Sequence, residues 1–233
     1  MSASSFDTGR GLDRRDALRT LGAGALALVT PAARTAMPAP ASSCVATPEQ
    51  TEGPFFVDER LNRADIRSDP ATGTLSQGVP LALQFVVHAE AATGCALLPG
   101  AVVDVWQCDA AGRYSAVDAS AKQKFLRGYQ IADADGTTRF TTIVPGWYPG
   151  RAAHIHFKIR GEAPTRGRFE FTSQLYFDDA VVARIHARKP YAGSGSRNAN
   201  DFIYRDGGRA LMLALVESGD GYAGRFDVTL RMP

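Results

Sequence analysis

From residue 81 to residue 232 the chain alternates apolar and polar positions in short runs, and turn residues separate the runs. Leu81, Leu83, Phe85 and Val87 alternate with Ala82, Gln84 and His88. Phe169, Phe171, Ser173, Leu175 and Phe177 alternate with Glu170, Thr172, Gln174 and Tyr176. A period of two marks a strand that buries one face. Further strands are predicted over 101–107, 138–144, 153–160, 210–216 and 224–232. A short helix is predicted within 178–189 and one helical turn within 115–130. Residues 42–80, 91–100 and 191–206 read as irregular chain or turns, rich in Gly, Pro and polar residues. There is no βαβ rhythm and no Gly-rich phosphate loop. The pattern predicts an all-β fold, an antiparallel β-sandwich with long irregular loops and few short helices.

The run over 153–160 carries two histidines. His154 and His156 are two apart, so on a strand both point to one face, while Ile155, Phe157 and Ile159 point to the other. The apolar set takes the core, and the imidazoles converge on whatever lies opposite. Neutral imidazole suits iron, copper, zinc and nickel. The segment before them, Val144-Pro-Gly-Trp-Tyr-Pro-Gly-Arg151, is a turn by composition and can fold Tyr148 back over the pair. A cupin site wants a glutamate four or five residues after the second histidine; here the next acid is Glu162, six on.

Length and charge narrow the reading. The 233 residues suit one domain plus an N-terminal extension. The formal charge is +2, and residues 1–41 account for all of it through five arginines against three aspartates. The remainder is near neutral, which gives no electrostatic argument for nucleic acid or an anionic membrane as partner, and none is expected. Residues 1–41 read as an export signal. Arg14 and Arg15 precede a short apolar run, Leu21 to Val29, in the manner of a twin-arginine signal, and Ala39-Pro-Ala41 offers a cleavage site. The run is too short to span a bilayer as a mature helix. The expected mature domain is 42–233, periplasmic or secreted. Cys44, Cys95 and Cys108 allow three pairings after export, each leaving one thiol over.

Tyr114 sits, like Tyr148, at a strand end beside a Gly-containing turn. With His154 and His156 the two tyrosines make a set of two phenolates and two imidazoles. Phenolate is a hard anionic donor, so the set favours a ferric ion over zinc or Cu(I).

These pieces together resemble the intradiol ring-cleavage dioxygenases. The matching segments are Thr47-Pro-Glu-Gln-Thr-Glu-Gly-Pro-Phe-Phe56, Gly100 to Ser115, Phe125 to Gln130, Phe140 to Tyr148 and Arg151-Ala-Ala-His-Ile-His156, in the family's order. The resemblance is closest to the exported single-domain branch of catechol- and protocatechuate-type enzymes; the helical dimerisation segment of the cytosolic catechol enzymes has no counterpart. It implies one non-haem Fe(III) held by Tyr114, Tyr148, His154 and His156. It implies a substrate-side arginine in Arg151, a glutamine behind the metal in Gln174, and pocket-lining roles for Pro54 and Trp147. Val144 and Phe56 depart from the family's usual aromatic and tyrosine without touching a ligand. The implied reaction is cleavage of a catechol-type ring by O2 between its two hydroxyl-bearing carbons, giving a cis,cis-muconate-type product. Other substituents of the ring and any homo-oligomer are left open. The alternatives are an exported, non-catalytic β-sandwich binding module and an iron protein without turnover. His88 and His186 are expected to be structural or exposed, Asp104 to face outward, Asp109 to serve a turn, and Arg184, Arg188 and Lys189 to form a solvated face.

Overall fold

The computed structural model describes residues 44–91, 94–163, 167–193 and 195–232. The predicted export signal and its cleavage site lie outside the described residues. Two sheets face each other. In the first, β1 (Pro80–Ala91) is central; β2 (Gly94–Leu97) and β5 (Thr137–Ile143) share one of its edges, and β9 (Gly221–Leu230) lies on the other, followed by β8 (Val216–Ser218). The second sheet runs β4 (Arg127–Ile131), β3 (Val102–Trp106), β6 (His154–Ala163), β7 (Gly167–Tyr176). The alternation decides the inner faces. Leu81, Leu83, Phe85 and Val87 of β1 meet Val103 and Val105 of β3 and Ile155, Phe157 and Ile159 of β6 in one buried core. Phe85 and Phe157 lie 5.1 Å apart at its centre, with Phe226 of β9 6.0 Å from Phe157. Helix α1 (Asp179–His186) follows β7 and is capped by Asp178, whose side chain accepts from the amides of Ala180 and Val181.

Four features differ from the sequence reading. The sandwich is not wholly antiparallel, because β1 and β9 pair in parallel. Residues 91–100 and 115–130 hold the short strands β2 and β4; both are edge strands, and β4 is polar enough (Arg-Gly-Tyr-Gln-Ile) to read as loop. Residues 210–215 are not a strand but the end of a 3₁₀ turn (Gly208–Leu211) and an extended stretch making a single bridge, Met212 to Tyr176; the strand β8 begins only at Val216. Their apolar pattern comes from Leu211 and Leu213, which plug the core. Asp104 does lie on the face of β3 away from the core, but it is 7% exposed and paired with Arg160 at 2.8 and 3.1 Å.

What covers Asp104 also builds the site. Residues 44–61 of the irregular segment cross the outer face of the second sheet as a strap, and the rest runs past β4 to β5, where Ile66 N donates to Thr141 O at 3.0 Å. Gln50 N donates to Thr172 O at 2.9 Å, the Ser173 hydroxyl donates to Pro48 O at 2.7 Å, and Phe56 packs on Trp106 at 4.8 Å. A disulfide between Cys44 and Cys95 ties the strap's start to β2, selecting one of the three open pairings; Cys108 is a buried free thiol. Closing a loop of 51 residues stabilises the fold by about 4 kcal/mol on the chain-entropy estimate. Among the described residues no helix is long and apolar enough to cross a membrane.

Candidate metal centre

Strand register places the histidines. His156 pairs with Trp106 on β3 and Gln174 on β7, and His154 pairs with Tyr176. All five side chains therefore lie in two adjacent rows on the outer face, under the strap. Trp106 stacks flat on His156, 4.9 Å between rings and 8° between planes.

Two nested turns bring in the tyrosines. After β3, Asp109 folds a tight turn, its Oδ1 accepting from the amides of Ala111 and Arg113 at 2.9 Å each, which is the turn role expected of it. Gly112 in that turn has φ +82°, and a β-carbon there would run into the Trp147 carbonyl oxygen. Gly146 in the second turn answers it: a β-carbon there would lie 2.6 Å from Asp109 O and 2.7 Å from Ala110 O. Only glycine at both positions lets the turns nest this closely. Tyr114 and Tyr148 leave them with ring centroids 5.8 Å apart.

Four donor atoms converge. His154 Nε2 stands 3.4 Å from Tyr114 Oη, 3.2 Å from Tyr148 Oη and 3.1 Å from His156 Nε2. His154 Nδ1 lies 2.7 Å from Ala152 O, so it carries the proton and leaves Nε2 with its lone pair outward. One lone pair cannot serve three partners, whereas a cation at their centre satisfies all four donors together. Tyr114 is 5% exposed and each histidine 1%. Burial, reinforced by the charge of Arg151, pushes His154 down to about 3; burial also holds His156 well below the usual histidine value. Both imidazoles are therefore neutral, the form that ligates metal. Burial raises both phenols, so a metal entering here expels their protons. No cluster of three or more His, Cys, Asp or Glu among the described residues could hold a metal ion; a metal held at this point would need the phenols beside the imidazoles.

Arg151 borders the set. Its NH1 donates to Tyr148 Oη at 3.2 Å, its NH2 to Gln174 Oε1 and Tyr176 Oη, and its Nε to Asp201 Oδ2 at 2.9 Å. Gln174 is buried, and its Nε2 donates to Thr51 O in the strap at 2.9 Å. Of the residues expected at the site, Tyr114, Tyr148, Arg151, His154, His156 and Gln174 are thus brought together. Pro54 is exposed on the strap, and Trp147 turns its indole N–H to Gly193 O at 2.8 Å, supporting the loop beyond α1. The ring that does cover the centre is Phe55, stacked 4.3 Å over Tyr114 and edge-on to Tyr148 at 5.8 Å. The sequence reading placed it in the matching segment Thr47 to Phe56 without saying which ring would turn inward. Asp201 and Tyr176 are the other contributors that the sequence reading did not single out. His88 is buried 3.4 Å from Asp227, and His186 is buried 2.9 Å from Pro145 O; both are structural, as expected. Arg184, Arg188 and Lys189 are exposed.

A model of the dioxygenase family matches residues 51–189, the stretch that contains most of the strap, both turns and the histidine strand. The chain belongs to the intradiol ring-cleavage dioxygenases. It is 36% identical over 197 residues to the protocatechuate 3,4-dioxygenase beta chain of Burkholderia cepacia, covering 76% of each chain. Among solved structures it is similar to the intradiol ring-cleavage dioxygenase of Tetranychus urticae, with TM-score 0.69, 27% identity and coverage of 81% of this chain and 95% of that one. It is also similar to the dioxygenase domain of a dioxygenase–carbohydrate-binding fusion from Streptomyces sp. SirexAA-E, with TM-score 0.60, 32% identity and coverage of 81% and 100%. The chain spans about half the length of catechol and chlorocatechol 1,2-dioxygenases that it also matches. Membership in a family of ring-cleaving dioxygenases makes the chain an oxidoreductase and sets aside the non-catalytic binding module.

Proposed function

We propose that Tyr114, Tyr148, His154 and His156 hold one non-haem Fe(III), and that the protein uses O2 to cleave a catechol-type ring between its two hydroxyl-bearing carbons, giving a cis,cis-muconate-type product. The observation that carries this is the convergence of two phenol oxygens and two imidazole nitrogens, 3.1 to 3.4 Å around His154 Nε2, on the outer face of the second sheet. Two phenolates offset two of the three charges of a ferric ion, which the same geometry built from neutral ligands could not do. When bound, the ferric ion supplies Lewis acidity toward the two adjacent hydroxyl oxygens and withdraws electron density from the ring.

The chain's own residues supply the rest. Tyr148 is the more exposed of the two phenols and sits nearest the guanidinium. Its Oη takes one of the two protons of the incoming diol, acting as general base. Arg151 NH1, within 3.2 Å of that oxygen, donates toward the negative charge that develops on oxygen and ring. Gln174 holds the guanidinium plane from behind, with its own amide donating to the strap. Phe55 and Trp106 wall the centre with aromatic surface that excludes water.

The substrates are a small ortho-diol and O2. The near-neutral domain offers nucleic acid no electrostatic footing. Residues 1–41 direct export to a periplasmic or secreted location, and the Cys44–Cys95 bond supports that reading because structural disulfides persist in oxidising compartments. Oxygen uptake with product analysis tests the reaction. The account expects one O2 consumed per catechol and a diacid product. An aldehyde-acid, which arises when the ring opens beside rather than between the hydroxyls, contradicts it, as does a protein that holds iron without turnover.

A further inference from the structure

We propose that Asp201 is a positioning residue for this reaction, fixing the Arg151 guanidinium so that a single N–H faces the reacting groups. The inference rests on the reading of the site given above. Asp201 follows the 3₁₀ turn Asn198–Asn200, in the stretch that reads as polar loop, yet it is 0% exposed. Its Oδ2 accepts from Arg151 Nε and from Ala152 N, both at 2.9 Å. Its Oδ1 accepts from Ile203 N at 2.9 Å and Tyr204 N at 3.3 Å.

A guanidinium is a rigid plane, so holding Nε and one terminal nitrogen determines where the other points. Asp201 holds Nε, and Gln174 and Tyr176 hold NH2. NH1 is left to point at Tyr148 Oη. Charge argues the same way. Arg151 is buried, and a buried cation without a partner is strongly unfavourable. Asp201 neutralises it from the side away from Tyr148, leaving NH1 free to donate. The same Oδ2 holds the amide of Ala152, whose carbonyl receives the Nδ1 proton of His154.

The loop has other anchors. Asn198 Nδ2 donates to Phe177 O at 2.7 Å, Asn198 N donates to Asp179 Oδ1 at 3.0 Å, and Gln50 Nε2 donates from the strap to Ile203 O at 2.9 Å and Asp206 O at 2.7 Å. The loop is held without the Asp201–Arg151 pair, so that pair serves the arginine.

A double-mutant cycle on the full, iron-loaded chain tests this, with Asp201→Asn and Arg151→Gln alone and together. The readouts are kcat and KM for catechol by oxygen uptake, iron per chain and the melting temperature. Asp201→Asn is expected to keep its iron and lose about 10- to 100-fold in kcat/KM, mainly in kcat, the usual scale for an outer partner of a metal site. In the Arg151→Gln background the same change is expected to cost less than about threefold and to lower the melting temperature less, because coupled residues are not additive. Equal losses in both backgrounds would overturn the proposal and leave Asp201 a loop residue. Should Asp201→Asn alone fail to fold, the double variant decides. The proposal expects it to fold, since neither charge is left unpaired; failure there too shows that the loop itself needs Asp201, and overturns it. A wild type without turnover is a different result, and fails the reading of the site on which this one rests.

Discussion

Gly112 lies against the carbonyl of Trp147, so closely that a β-carbon would collide with it. This contact between two turns helps bring Tyr114 and Tyr148 to one centre, their rings 5.8 Å apart. Gly112→Ala must both adopt a left-handed φ of +82° and push the turns apart. The strained backbone alone costs on the order of 1–3 kcal/mol. The expected outcome is a melting temperature lower by several degrees and an iron content well below one per chain. A variant with full iron and unchanged melting would show that the nesting of the turns is not what assembles the donor set.

Tyr148 is assigned both a ligand and a proton-accepting role. Tyr148→Phe removes the oxygen but leaves the ring against Phe55 and His154. Three donors remain, so most of the iron is expected to stay bound. Turnover is expected to fall by about 10²- to 10⁴-fold, the usual worth of a positioned general base. An unchanged rate would sink that role.

Phe55 covers Tyr114 from the strap, with its carbonyl held 3.3 Å from the Arg127 guanidinium. Phe55→Ala keeps that backbone contact and removes the ring. A stacked aromatic pair contributes about 0.5–1.5 kcal/mol beyond its buried area. The expected result is iron retained and kcat/KM for catechol lowered roughly tenfold, measured by oxygen uptake. Loss of iron instead would place Phe55 among the supports of the metal rather than the walls of the substrate site.

Acid should destabilise the iron-free protein through its histidines. His154 is near 3 in the fold against about 6.5 in an unfolded chain, and His156 is shifted the same way. From pH 6.5 down toward 3 the unfolded chain binds protons that the folded one refuses, so stability falls with pH across that window. Above pH 6.5 these two groups add no further dependence. Melting temperatures between pH 4 and 8 check the sign; for His154→Asn the acid slope should be shallower. A slope unaltered by that substitution would assign the acid lability elsewhere.

The histidine strand was legible because its two periodicities coincide. Ile155, Phe157 and Ile159 declare the core face, and that alone sends His154 and His156 to the opposite one. The tyrosines were legible through the glycine-containing turns before them. Phe55 and Asp201 show where such reasoning stops. Their places depend on how the strap and the 191–206 loop cross a sheet, through contacts such as Gln50 to Ile203 that join residues 153 positions apart. Periodicity carries no information about them. The strands β2 and β4 were missed because each sits at the end of its sheet, β4 edged only by a single bridge from Asn62 to Tyr129, and so needs little apolar patterning. The parallel pairing of β1 with β9 joins the two ends of the domain and leaves no local trace.

The central claim is that the four converging donors bind Fe(III) and leave room for a catechol. The visible spectrum of the purified protein tests this directly, before and after catechol is added without oxygen. The account predicts a coloured resting protein, from charge transfer between tyrosinate and ferric ion, and a shift of the band to longer wavelength when catecholate binds. A protein that stays colourless after ferric reconstitution would contradict the metal centre, and a coloured protein that catechol leaves unchanged would contradict the open substrate position.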